Sequence, residues 1–405
     1  MNTLRVAWRN LLRNPRRSGI TFTAVVLSTV VLIVTYALML GMLIDMEHSV
    51  TNVTIGQVQV HHKDYLKERS IYDTIEGPEK ILESANSAGI SASPRAFGYG
   101  LLSSGKKSAG VQFWGISPGK EKAVGEIPES LLEGDFLPDK EGMNVVLGRK
   151  LARMLDAEIG TELVAVVQAS DGSLGNDLFQ VTGILKGIGE NLDRSLALIH
   201  EEDFGDLFVM NGEVHEITLN SHGAMTPEEV AAAILPAAGD NEVKTWRELM
   251  PGVSDMLNTF DGFTIIFLGI FFLAAGLGVL NTMLMATYER IPEFGLLKAI
   301  GTSPARIVKE VTAEALFMCM LGSLIGGIAG ILISLYFQYN PIDLSAYAEG
   351  FNTSGIVINA QWRAMLTIRG VVWPVALMWV TSVLAALYPA FKAARLDPVR
   401  ALTHV

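Results

Sequence analysis

The sequence predicts a membrane α-helical protein with four transmembrane helices and a large extracytoplasmic α+β domain between the first and second spans. Half of the 405 residues are hydrophobic and only 18% are charged, a composition that excludes a disordered chain and points to a bilayer. Four stretches, 20–43, 263–288, 315–337 and 370–391, contain no Asp, Glu, Lys or Arg. Each is long enough for a spanning helix, which needs about 20 residues. Between the first two, strand-like alternation and helix starts interleave.

The N-terminal segment 1–19 carries five arginines (Arg5, Arg9, Arg13, Arg16, Arg17) and no acid. Leu4, Ala7, Trp8, Leu11 and Leu12 follow helical spacing, with arginines filling the other side. Such a helix lies in the headgroup layer against membrane lipid. Asn14-Pro15 breaks it before the first span at 20–43, which is longer than a signal-peptide core and lacks a cleavage pattern. Positive charge in short loops marks the cytoplasmic side, so both termini are expected in the cytoplasm. Segment 44–261 is expected outside. It carries 17 Lys+Arg against 35 Asp+Glu, which argues against nucleic acid as a partner.

Residues 44–50 continue the first span without a breaker, as a stalk. Val58 and Val60 alternate with polar neighbours as a strand, and 78–88 reads as a helix ended by Gly89. Strands are expected at 97–102 and 110–116, then a helix at 147–155 and strands at 163–168, 179–185 and 195–199. A helix at 201–208 and a strand at 214–219 follow. Thr226-Pro227-Glu228-Glu229 combines a cap, a first-turn proline and a capping-box glutamate. That helix runs to about 235, a short strand sits at 243–246, and 248–260 forms a second stalk feeding the second span at 262–288.

Chemical motifs are sparse. Gly100 to Lys106 fits most of a phosphate loop, but Lys107 stands where a magnesium-binding Ser or Thr is required, and an extended stretch follows where a helix is needed. A hairpin turn is the better reading. His61-His62 is the lone histidine pair, and neighbours on a strand point to opposite faces. It reads as surface strand rather than as part of a metal site, which wants three or four converging ligands. No catalytic, cofactor-binding or metal site is expected, and the single Cys319 rules out an intrachain disulfide.

Segment 289–314 links the second and third spans as an elbow with its own start and stop signals. Pro292 suits a first helical turn, and Phe294, Leu297 and Ile300 recur at spacings of three. Gly301 can end the helix in the left-handed conformation, and Ser303-Pro304 restarts one with a cap and a first-turn proline. The third span, 315–337, carries a small-residue stripe at Gly322, Gly326 and Gly330, suited to close helix packing within or between chains. Gly269, Gly276 and Gly278 are expected to do the same for the second span. An outer loop at 338–369, the fourth span at 370–391 and a basic tail at 392–405 complete the chain.

Two stretches carry a resemblance. The elbow, with Asn281, Glu289-Arg290 and Glu293-Phe294-Gly295-Leu296-Leu297-Lys298-Ala299-Ile300-Gly301, resembles the signature of the FtsX/MacB-type ABC transporter permeases. Residues 388–402, from Tyr388-Pro389-Ala390 to Arg400-Ala401-Leu402, are similar to the family's second signature. The resemblance implies that the elbow is a coupling helix docking on an ABC ATPase, with Glu289, Arg290, Glu293, Phe294, Leu297 and Lys298 at that contact. It further implies ATP and magnesium on that separate ATPase, a second permease copy or paralogue, and movement passed through the stalks. Pro292 departs from the family's usual polar residue. The layout is similar to that of the lipoprotein-releasing permeases, which implies a lipoprotein or amphiphilic substrate. A MacB-like exporter of peptides or drugs and an FtsX-like regulator of a cell-wall hydrolase are the alternatives.

Overall fold

Four helices dominate the computed structural model, which describes residues 15–186, 188–210, 212–343 and 361–395. They run Pro15–His48, Pro251–Glu289, Pro304–Tyr339 and Ile368–Ala394, and all four are long and apolar enough to cross a membrane. The amphipathic stretch at 4–13, the second signature beyond Arg395 and most of the 338–369 loop lie outside the described residues. By its contacts the chain divides into two units. One comprises Met1–Leu43, Met256–Leu344 and Gln361–Val405; the other comprises Ile44–Asp255 and Ser345–Ala360. The unit boundaries fall inside the first and second long helices.

In the helical unit, Val25, Leu32, Met283, Ile307, Met318 and Met378 belong to one buried apolar cluster. Among the described residues the second unit is built on ten strands: β1 (Val58–His61), β2 (Ser91–Ser104), β3 (Lys107–Ile116), β4 (Leu131–Gly134), β5 (Asn144–Leu147), β6 (Glu162–Gln168), β7 (Leu174–Leu185), β8 (Leu196–His200), β9 (Glu216–Asn220) and β10 (Glu242–Thr245). Their order is β10-β1-β9-β2-β3-β8-β5-β7-β4, with β6 pairing β2 and β7. The β3–β8 and β5–β7 pairs are parallel. Short helices pack on this sheet, among them Glu201–Phe208, whose Phe204, Leu207 and Phe208 enter the largest core cluster.

Several local expectations meet the structure directly. Thr226 caps its helix in a complete capping box, its Oγ1 accepting from the Glu229 N–H and the Glu229 carboxylate accepting from the Thr226 N–H. The phosphate-loop look-alike is a hairpin: Ser104 pairs with Lys107, and Gly105 takes φ 56° in the two-residue turn. The helix expected at 147–155 is shorter, Arg149–Leu155, because Leu147 ends β5. A buried apolar run of three residues, Val145 to Leu147, has no period that separates strand from helix.

Both stalks are anchored in the second unit. Past His48 the first long helix loosens into a π-helical turn, Ser49–Thr54. There the Asn52 carbonyl accepts from the Glu126 N–H at 2.7 Å, and its side-chain oxygen accepts from Asn220 Nδ2 at 3.0 Å. Arg247, just before the second long helix, reaches Glu47 at 3.4 Å. This pair is half-exposed and contributes little by itself.

The histidine reading needs correction. His61 is 1% exposed, because β1 is paired on both edges, by β9 and β10, and all four of its residues are buried. Its Nε2 lies 3.2 Å from Glu216 Oε2, inside a buried ionic network. Arg95 donates to Glu121 at 2.5 and 3.1 Å and to Glu216 at 3.0 Å. Ser93 donates to Glu121 at 2.8 Å and Thr218 to Glu216 at 2.7 Å. Burial pushes the Glu216 carboxyl up, but the His61 hydrogen bond and the Arg95 charge outweigh it and hold it below the usual range. The alternation that looked like an inside and an outside face is an apolar core on one side and this network on the other.

Candidate functional site

Arg290 closes the second span, and the elbow helix follows as Ile291–Ala299 with Pro292 in its first turn. The missing N–H of Pro292 falls where a helix leaves donors unsatisfied anyway. The helix ends in a Schellman arrangement: Gly301 at φ 92°, its N–H to the Lys298 carbonyl at 3.0 Å, and the Thr302 N–H to the Leu297 carbonyl at 2.9 Å. A residue with a Cβ is strained at that φ. Ser303 takes the N-cap position of the third span with extended backbone, and Pro304 follows. The Ser303 hydroxyl makes no capping bond, contrary to expectation.

Three contacts fasten the elbow to its own unit. Arg290 bridges Glu293 (3.1 Å) within the elbow and Glu314 (2.8 Å) on the third span, while its guanidinium lies 5.1 Å from the Phe294 ring centre. Glu314 is nearly buried, so it depends on that arginine for compensation. Phe294 is 1% exposed and joins the apolar cluster, with Leu297 packed against it. Lys298 Nζ donates to the Ala394 carbonyl at 2.9 Å, at the C-terminal turn of the fourth helix, where a cation complements the dipole.

The expected contact residues therefore separate. Phe294, Leu297, Arg290 and Lys298 face the spans and hold the elbow in place; Glu289 is exposed and Glu293 partly so. Ile300 leaves the expected apolar face because helical geometry ends at Ala299. The surface offered outward is apolar as well: Pro292 is exposed, Leu296 is 56% exposed and Ile300 73%. Leu296 and the fastening roles of Glu314 and the Ala394 carbonyl went unseen in the sequence. Glu314 lies 24 residues from Arg290, beyond any local period.

The small-residue stripe is used inside the chain. A Cβ on Gly322 would stand 2.8 Å from Val25 Cγ1, one on Gly326 2.6 Å from the Val26 carbonyl oxygen, and one on Gly330 3.1 Å from Ile33 Cβ. The first span occupies that groove. On the second span only Gly276 is close to a neighbour, Thr381, while Gly269 and Gly278 meet nothing. The second span instead exposes Phe263, Ile266, Phe267, Ile270, Leu273 and Leu277.

Residues 18–237 match the family described as MacB-like periplasmic core domain, and residues 265–398 match the FtsX-like permease C-terminal family. The chain is 24% identical over 428 aligned residues to the lipoprotein-releasing system transmembrane protein LolC of Neisseria meningitidis, across 98% of this chain and 99% of that protein. It is 27% identical over 277 residues to an uncharacterized ABC transporter permease of Methanocaldococcus jannaschii, across 67% and 64% of the two chains. With the macrolide export ATP-binding/permease protein MacB of Wolinella succinogenes it shares 28% over 221 residues, 55% of this chain and 29% of that one. Matches that begin at residue 18 and end at residue 398, over four apolar helices and the elbow between two of them, show that the chain belongs to the FtsX/MacB-type ABC transporter permeases.

Proposed function

We propose that this chain is the permease subunit that receives the ATP-driven movement of a partner ABC ATPase at the elbow helix and passes it to the domain between the first two spans. The observation that carries this reading is an apolar surface, Leu296 and Ile300, on a short helix fastened to two spans through Glu314 and Ala394. Unfastened, such a helix would yield to a push instead of transmitting it. The arginine-rich segment 1–19 supports a cytoplasmic elbow in a bacterial inner membrane, on the side where ATP and magnesium are available to the ATPase. The match to LolC along nearly all of both chains favours lipoproteins or other amphiphiles as substrate, taken from the outer face with a second permease copy or paralogue. The MacB likeness supports a second reading, export of a peptide or drug.

The test reconstitutes the full chain in nanodiscs with its ATPase. Leu296→Asp with Ile300→Asp should abolish co-purification and any stimulation of ATP hydrolysis. Phe294→Leu, which keeps the inward packing, should retain most of both. Undiminished association of the double variant would refute docking at this surface. Crosslinking from the inter-span domain then separates the readings: a lipoprotein adduct supports release, and a periplasmic adaptor supports peptide or drug export.

A further inference from the structure

The first stalk meets the sheet through the π-helical turn Ser49–Thr54. At its end the Ile55 N–H reaches back five residues to the Val50 carbonyl, at 3.1 Å. Two hydroxyls reach back four residues instead: Ser49 donates to the Asp45 carbonyl at 2.8 Å and Thr51 to the Glu47 carbonyl at 2.9 Å. Back-bonding of this kind slightly destabilises a helix and often bends it. A π-helix is rare beside the α form, so a run of six residues depends on bonds from outside the helix.

Those bonds converge on Asn52. Its carbonyl accepts from the Glu126 N–H at 2.7 Å. Gly125 permits that approach, since a Cβ there would stand 2.6 Å from the same oxygen. The Asn52 side-chain oxygen accepts from Asn220 Nδ2 at 3.0 Å. Asn220 is 1% exposed on β9, and the same Nδ2 donates to the Val124 carbonyl at 3.0 Å. One amide thus ties the turn both to β9 and to the end of the short helix Pro118–Val124. Just past the turn the chain is pinned as well. The Gln57 N–H donates to the Leu219 carbonyl at 2.9 Å, and β1 is paired on both edges.

We propose that Ser49–Thr54 is a two-register joint, kept in its wide register by the clamp that Asn52 makes with Asn220 and Glu126. Without the clamp the turn tightens to α-helix and its phase advances by one residue, turning the stalk about 100° relative to β1. What this does in transport rests on the coupling reading of the elbow: a clamped joint passes turning of the first stalk to the sheet, and a tightened one absorbs it. The joint itself is read without the ATPase, in the full chain in nanodiscs. Spin labels at Ile44→Cys and Lys120→Cys, both exposed positions, report one distance. Cys319→Ser removes the native thiol, and labelled chain is diluted in unlabelled chain so that only distances within one chain count. At a helix radius of about 5–6 Å, such a turn moves a side chain by roughly 8 Å. Asn52→Ala removes the side-chain tie. Gly125→Ala presses on the Asn52 carbonyl while its own extended backbone suits any residue. Each should move the distance by several ångströms to a second narrow value, whereas unfolding would only broaden it. His48→Ala, which deletes the exposed contacts of His48 with Asn52 and Glu126, should keep the original distance. An original or merely broadened distance in either clamp variant overturns the joint and leaves docking at the elbow standing. Failed docking, in turn, leaves these distances readable.

Discussion

Arg95 shows how one side chain governs its neighbourhood in the second unit. It compensates two carboxylates, Glu121 and Glu216, that lie almost wholly out of water. Burial alone would lower its basicity, and the charges of Glu121 and Glu216 raise it instead. Arg95→Met takes the guanidinium from both carboxylates, leaving Glu216 only its contacts with His61 and Thr218, and should cost about 3–5 kcal/mol at neutral pH. The pH dependence has a definite sign. Glu216 is held below its ordinary value, so its stabilising contribution is present above the unfolded-state value of about 4.3. It is lost as pH falls through the lower folded value. In Arg95→Met the penalty shrinks on acidification, because the stranded carboxylates can take up protons. Unfolding of the full chain in detergent at pH 7 and pH 4.5 checks this, and an equal loss at both would be inconsistent with the network as described.

At the scale of elements, the first and third spans are fitted to each other by three glycines. Gly326 is the tightest, since a Cβ there would press on the backbone oxygen of Val26 and on Thr29. Backbone cannot swing aside as a side chain can, so Gly326→Ala must push the helices apart. Overpacking of this kind costs about 1–3 kcal/mol. Gly327, one residue on, faces nothing within 4 Å. Gly326→Ala should therefore lower the thermal unfolding midpoint in detergent while Gly327→Ala leaves it in place. Similar behaviour of the two would mean that the stripe does not set the helix distance.

For the whole molecule, continuity of the two long helices matters most. The boundary between units falls at Leu43/Ile44 in one and at Asp255/Met256 in the other, both inside unbroken helix. If the elbow's movement reaches the inter-span domain through these helices, a break at the boundary should disconnect the two. Ile44→Pro removes one helical hydrogen bond and introduces a clash, at a cost of about 3 kcal/mol. In reconstituted vesicles it should keep ATPase binding and hydrolysis but lose substrate release, with Ile44→Ala near normal. Full release by the proline variant would remove the stalk from the proposal.

The sequence by itself determined the four spans, the α+β character of the inserted domain and the caps at Thr226 and Gly301. Each depends on composition, on short-range period or on the φ that one residue type allows. The family was legible in the elbow as well, because its residues are contiguous. Only the tertiary structure decided which of those residues face outward. Phe294 and Ile300 share a helical spacing, yet the helix stops between them, so one is buried and the other exposed. The partners that hold Arg290 and Lys298 lie on the third and fourth spans, far along the chain. His61 looked like a surface residue because its alternation is that of a strand with one wet face. Its burial comes from β9 and β10, whose sequences lie more than 150 residues away. Local pattern reports which face is polar, and long-range pairing decides whether that polarity meets water or another charge.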